Sequence, residues 1–269
     1  MVSAGVKELN LVSQDSLQYG VDQPMAPSIV ELLQQIDAID GTFRFRLLYG
    51  YPAGLNESIL TVMNNARHLC KYLDLPVQHS HPDILRAMNR GKAVKATTGL
   101  AERLRAAVPG IVLRTTCLVG FPGETAEHFN HLLEYVAQSK FDHLGVFAFS
   151  PEEETAAFKM DGRPEPEVTQ ERCAQLMEIQ KGIVKQRTHK LIGTADEVLL
   201  LRQAAADKWI GRLPRQAPEV DGETYVSGVS KEAKVGDFVK VMVTGGKAYD
   251  LEAKAIPVAK TLRKIRGQQ

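Results

Sequence analysis

Along the first 150 residues, short apolar runs alternate with stretches whose apolar residues return every three or four positions, the pattern of parallel strands joined by crossover helices. Five strands are predicted: Val6 to Ser13, Phe43 to Tyr49, Lys71 to Val77, Ile111 to Val119 and His143 to Phe149. Between them, Ile29, Leu32, Leu33 and Ile36 share one helical face. Ile59, Val62, Met63 and Ala66 share a second, and Phe129, Leu132, Leu133 and Val136 a third, because i, i+3, i+4 and i+7 fall in one stripe of a helix. Asn56 and Thr125 stand where N-caps belong. A short helix from Pro82 and a longer one at Leu100 to Ala107 occupy the third connection, with Arg103 expected to snorkel.

After Ser150 the pattern changes. PEEETAAFKMDGRPEPE is acidic, contains proline and has no period, so it reads as an irregular excursion before a long helix at Val168 to Leu191. The segments that follow, ADEVLLLRQ, KWIGRL, ETYVSGV, DFVKVMVTGG and YDLEAKAI, are short, β-rich and separated by turn residues, as in a small antiparallel barrel. The expected class is α/β: a partial open βα barrel over residues 1–193, a small all-β barrel over 194–256 and a basic tail over 257–269. Five βα units are too few to close an eight-stranded barrel, and an open parallel sheet binds ligands outside the carboxyl ends of its strands.

The 269 residues can bury one large core, or one core and a small appended domain. Lys and Arg number 33 against 32 Asp and Glu, so whole-chain charge points to neither a nucleic-acid nor a membrane partner. No run approaches the ~20 consecutive apolar residues of a membrane span, and Met1 to Glu8 lacks the form of a signal peptide. A cytoplasmic location is expected. Cys70, Cys117 and Cys173 are widely separated, so they give neither a disulfide framework nor a self-contained metal motif.

The candidate chemistry lies in the strand-end loops. Gly120-Phe121-Pro122-Gly123-Glu124 joins a buried strand to a helix start; it suits close approach of backbone to a ligand, or only a tight turn. Arg114 stands in an otherwise apolar strand, so it should meet a carboxylate, from the barrel or from a ligand. Gln78, His79 and His81 cluster at another strand end; the histidines suit a metal, acid–base work or a hydrogen-bonded loop, and no third protein ligand is evident nearby. Gln14 and Asp15 suit a ribose hydroxyl or an Asx turn. These residues point to a half-barrel enzyme with a polar, nucleotide-like ligand.

Five stretches in this order, GVKELNLVSQDSLQYGVD, YLDLPVQHSHPDILRAMNRG, PGIVLRTTCLVGFPGETAEHF, FDHLGVFAFSPEEETAA and APEVDGETYV, resemble the methylthiotransferase family of radical S-adenosylmethionine enzymes over nearly the whole chain. The resemblance implies a six-strand open βα barrel, of which five strands are present, followed by a TRAM domain. It also implies a [4Fe–4S] cluster on a CxxxCxxC loop, reduced by an electron donor, that cleaves S-adenosylmethionine to a 5′-deoxyadenosyl radical, and a second cluster that handles sulfur. On this sequence Arg114 is similar to the partner of the methionine carboxylate, and Gln14 and Gln78 to polar contacts with cofactor. Val119, Gly120, Phe121, Gly123 and Glu124, with Phe147, are similar to the adenosine wall. The cysteine loop and N-terminal domain have no counterpart here; the residues present ligate no cluster, and an incomplete or inactive fragment is expected.

YLDLPVQH and LGVFAFSPEEETAA resemble the branch that thiomethylates the β-carbon of an aspartate in a small-subunit ribosomal protein. The branch that modifies an adenosine in transfer RNA is the alternative. From Ala195 to Ile256 there are 9 Lys or Arg and 10 Asp or Glu, a poor balance for gripping phosphates. The tail adds Lys260, Arg263, Lys264 and Arg266. A non-catalytic module that binds a ribosomal protein or RNA is the reading from a different class.

Overall fold

The structure is a computed structural model that describes residues 1–257 apart from Pro24 and Ala26; the predicted basic tail lies outside the described residues beyond Pro257. Five parallel strands, β1 (Glu8–Leu11), β2 (Arg44–Leu47), β3 (Leu69–Asp74), β4 (Val112–Val119) and β5 (His143–Ala148), form one sheet in sequence order. Each lies inside a predicted strand except β3, which starts at Leu69 and stops earlier than expected. Left-handed Tyr49 (φ 56°) and Gln78 (φ 65°) turn the chain out of the sheet after β2 and β3, a conformation unfavourable for residues with a Cβ.

Seven helices connect these elements: α1 (Ile29–Asp37), α2 (Glu57–Asn65), α3 (Pro82–Ala87), α4 (Ala93–Thr97), α5 (Leu100–Ala107), α6 (Ala126–Ser139) and α7 (Pro166–Leu191). Asn56 caps α2 by accepting from the Ile59 amide, and Thr125 caps α6 by accepting from the His128 amide. The short α4 is not visible in the periodicity of KAVKATTG. Arg103 does not snorkel over core; its guanidinium donates to the Thr98 and Ala96 carbonyls at the α4–α5 turn, at 2.7 and 2.8 Å.

Alternation along the strands divides the sheet into two unlike faces. Phe45, Leu47, Leu73 and Leu113 point outward and bury with Leu33, Ile59, Met63, Leu104 and Leu132 of the helices in the main core. The inner face carries Arg44 and Arg46 of β2, Tyr72 and Asp74 of β3, and Arg114 of β4, in register with Asp74 on one side and His143 on the other. That polar lining is the interior of a half-barrel.

α7 packs on β5 and α6 and leads into β6 (Ala195–Ala205), β7 (Lys208–Arg212), β8 (Thr224–Ser227), β9 (Phe238–Lys247) and β10 (Asp250–Ala255). They close in the order β10-β8-β7-β6-β9, which leaves this sheet no free edge. Val198, Leu200, Trp209, Val226, Val241 and Leu251 fill its centre.

Candidate functional site

The half-barrel has a closed end and an open end. At the N-terminal ends of the strands, the segment between β7 and β8 enters the interior. Arg46 donates to the Leu213 and Pro214 carbonyls at 3.0 and 3.1 Å, and Arg44 to the Arg212 carbonyl at 2.8 Å. Glu8 of β1 pairs with Arg44 at 2.7 Å, Arg46 at 2.5 Å and also Arg212. Burial alone would raise the Glu8 carboxyl, but the three guanidinium groups hold it at about 2. Nearer the centre, Asp221 accepts from Tyr72 Oη at 2.7 Å and Arg114 Nη1 at 2.9 Å, and lies 3.1 Å from His143 Nδ1.

Arg114 therefore meets carboxylates within the chain. Asp221 comes from the second domain, with Asp74 at 3.8 Å as a looser neighbour. Asp74 sits on the inner face between this floor and the mouth. Burial raises its carboxyl to about 6 against the pull of Arg114, and its Oδ1 has no hydrogen-bond partner. Asp74 is not among the candidate residues of the strand-end loops; the signal it carries in the sequence is an acid closing an apolar strand.

At the carboxyl ends of the strands a cleft of ≈ 1090 Å³ opens, lined by Gln14, Tyr49, Tyr51, Gln78, Arg90 and Thr116 among others. Gln14 and Gln78 thus meet in one cavity from loops 64 residues apart in sequence. Asp15 takes the Asx role: its carboxylate accepts from the Leu17 and Tyr51 amides at 3.2 and 3.0 Å, tying two rims of the cleft together. Gln78 is anchored by its backbone, donating to Thr116 O at 2.8 Å and accepting from Leu118 N at 2.7 Å, so its side chain is free for a ligand. Strained Tyr49 and Gln78 both border the cleft, where such conformations concentrate in binding sites. Arg90, which no local pattern marks as a site residue, stacks over Tyr51 at 4.6 Å and donates to the Pro76 carbonyl at 2.8 Å.

The Gly120–Glu124 turn is organised from within. Glu124 is buried; its carboxylate accepts from the Gly120 amide at 2.9 Å and from Arg172 of α7 at 2.7 Å. A Cβ on Gly120 would stand 2.5 Å from Thr169 Oγ1, so helix packing, not ligand approach, demands this glycine. Gly123 has φ 83° and no neighbour in the way of a Cβ; its amide donates to Gly162 at 2.9 Å. Val119 is buried, and Phe121 is buried edge-on against Phe149 at 5.1 Å. Phe147 is exposed at the end of β5. None of these six borders the cleft with Gln14 and Gln78; they form the structured wall at and beyond the end of β4.

Residues 2–136 match the radical SAM superfamily, and residues 192–256 match the TRAM domain. The chain belongs to the radical SAM superfamily. It is 42% identical over 257 residues to the ribosomal protein uS12 methylthiotransferase RimO of Synechococcus sp. (strain JA-2-3B'a(2-13)), which covers 95% of this chain and 54% of that protein. It is 43% identical over 261 residues to the RimO of Synechocystis sp. (strain ATCC 27184 / PCC 6803 / Kazusa), covering 97% of this chain and 58% of that one. The chain thus spans little more than half the length of these relatives.

Radical SAM enzymes use S-adenosylmethionine with a [4Fe–4S] cluster, and the cysteines present do not fit the cluster. Cys70 lies in β3, Cys117 in β4 and Cys173 in α7, the first two buried. Burial pushes the Cys117 thiol up to about 12, away from the thiolate form that ligates iron. No three cysteines converge among the described residues. No helix among the described residues is long and apolar enough to cross a membrane.

Proposed function

We propose that this chain forms the S-adenosylmethionine wall and the substrate-docking half of a cytoplasmic methylthiotransferase that modifies the β-carbon of an aspartate in ribosomal protein uS12. The observation that carries the reading is the identity of 42% with uS12 methylthiotransferases across 95% of the chain. The open cleft supports it, because it lies where an open parallel sheet receives its ligand. Gln14 and Gln78 offer amides to the polar parts of the cofactor, and Val119, Gly120, Phe121, Gly123 and Glu124, with Phe147, hold the adjoining wall. Arg114, paired with Asp221, contributes by fixing the floor on which the methionine end rests. The chain orients cofactor and substrate, and no electron transfer is assigned to its residues.

A protein substrate is favoured over RNA by charge. The second domain is balanced, and two of its nine cations are taken from solvent: Arg212 pairs with Glu8, and the Arg215 guanidinium is desolvated by burial. Calorimetric titration of the chain with S-adenosylmethionine should show one site, weakened about tenfold or more by Gln78→Ala. Recombinant uS12 should bind the same preparation more tightly than a transfer-RNA stem–loop does. Absence of cofactor binding at millimolar concentration, or preference for the RNA, would overturn this reading.

A further inference from the structure

Outside the cleft, the loop after β3 and the head of α6 bring together histidines that the half-barrel does not use. We propose that His81, Asp83 and His128 form a site for one divalent transition-metal ion of the zinc type, with His131 as an adjacent fourth donor. One ligand atom from each of the first three lies within 4.8 Å of the others. The His81 ring sits 4.3 Å from that of His128 and 5.2 Å from that of His131. His81 and Asp83 open α3, whereas His128 and His131 stand three apart on α6, on one helical face. Sequence alone could not supply the third ligand, because it lies 45 residues further on.

The second contacts of the rings suit metal binding. A ligating imidazole donates its other N–H to a carbonyl, carboxylate or hydroxyl, which fixes the ring and exposes the remaining lone pair. His128 Nδ1 lies 3.1 Å from the Gly123 carbonyl, and His131 Nδ1 lies 2.8 Å from Ser80 Oγ. With the proton on Nδ1 of His131 its Nε2 lone pair is free; His128 Nδ1 also accepts from the Thr125 amide at 3.2 Å in the α6 capping box, so His128 frees its Nε2 lone pair by exchanging that contact for donation to the Gly123 carbonyl. His81 presents Nδ1, 3.9 Å from Asp83 Oδ2; its present partner is the Asp83 amide at 3.2 Å. Asp83 also pairs with Arg86, an exposed contact that an ion replaces at small cost. Two imidazoles, one carboxylate and a vacant or histidine-filled fourth position make the set that zinc accepts.

The bound ion would clamp the β3 loop to the α6 head, two segments otherwise joined there by ring contacts and the Ser80–His131 hydrogen bond. The test is equilibrium dialysis of chelator-stripped, untagged chain against Zn²⁺, with the visible spectrum of bound Co²⁺ as a second readout. One ion per chain at micromolar affinity or tighter is expected. His128→Gln keeps a capping side chain at the third helical position and removes the ligand, so it should lose about tenfold or more in affinity without altering metal-free thermal unfolding. His81→Asn should behave alike, and Cys173→Ser should bind as the parent does. No stoichiometric zinc, affinity unchanged in the His81→Asn/His128→Gln double variant, or loss of binding in Cys173→Ser would each overturn the proposal.

Discussion

Asp74 carries a pH dependence that can be signed. Its folded value of about 6 lies above the ordinary 3.8, with burial as the main cause. The folded state therefore binds this proton more tightly than the unfolded chain, and the stability it contributes is complete below about 3.8 and lost as pH rises through 6. At neutral pH the ionised, partly unpartnered carboxylate is a cost. Asp74→Asn should raise stability at pH ~7.5 by about 1–2 kcal/mol and flatten the slope between pH ~4 and ~7, read by urea unfolding at several pH values. Greater destabilisation at the higher pH would show instead that Arg114 and Asp74 act as a tight ion pair. Two glycines make a second test at this scale. Gly120→Ala adds a Cβ 2.5 Å from Thr169 Oγ1 at φ 80°, and Gly123→Ala meets only the backbone penalty at φ 83°. The first should lose about 3 kcal/mol or more and the second about 1–2 kcal/mol, and equal losses in urea unfolding would remove the steric argument. The glycine turn was legible in the sequence and its reason was not, because Thr169 sits 49 residues away on a helix whose docking no local pattern encodes.

Strands and helices were legible where periodicity is strong and local. The stripes of Ile29–Ile36, Ile59–Ala66 and Phe129–Val136 appear as helices that bury those residues wholly or in part, because side-chain spacing and caps suffice to place an amphipathic helix. The inner face of the sheet was less legible. A strand such as Arg44-Phe45-Arg46-Leu47 announces alternation, but nothing in it announces that both arginines are buried against a second domain. That burial makes β1 depend on one carboxylate, since Glu8 is the acid that pairs with Arg44, Arg46 and Arg212 together. Glu8→Gln should cost about 3–5 kcal/mol, the range for stranding buried charge. The folded Glu8 value, about 2, is depressed from 4.5. Its contribution is therefore present above about 4.5 and lost as pH falls through about 2. The variant should lose that acid limb, and acid unfolding followed by circular dichroism would detect whether it persists.

At the scale of the whole molecule, the closed barrel acts as a stopper in the floor of an open one. Tyr72, Arg114 and His143 of the sheet converge on Asp221, and the Ala217 amide also donates to it at 2.8 Å. These polar groups are expensive to bury without their partners, so the two domains should melt together even though each has its own hydrophobic cluster. The chain reports this itself. Trp209, the single tryptophan, is buried in the β-barrel core, whereas every α-helix among the described residues belongs to the half-barrel and its connection, so fluorescence follows one domain and far-ultraviolet circular dichroism the other. In the parent the two unfolding curves should coincide, as a cooperative transition requires. Asp221→Ala leaves Arg114 and Tyr72 without their shared acceptor and His143 without its carboxylate neighbour but touches neither hydrophobic cluster. It should pull the helical transition to lower denaturant by about 2–4 kcal/mol while the Trp209 transition stays nearer its place. Curves that remain superimposed in the variant would mean that apolar contacts around Ala217, Tyr72 and Val112 hold the domains together without the ionic floor, and that the polar lining of the half-barrel is kept for the cleft above it.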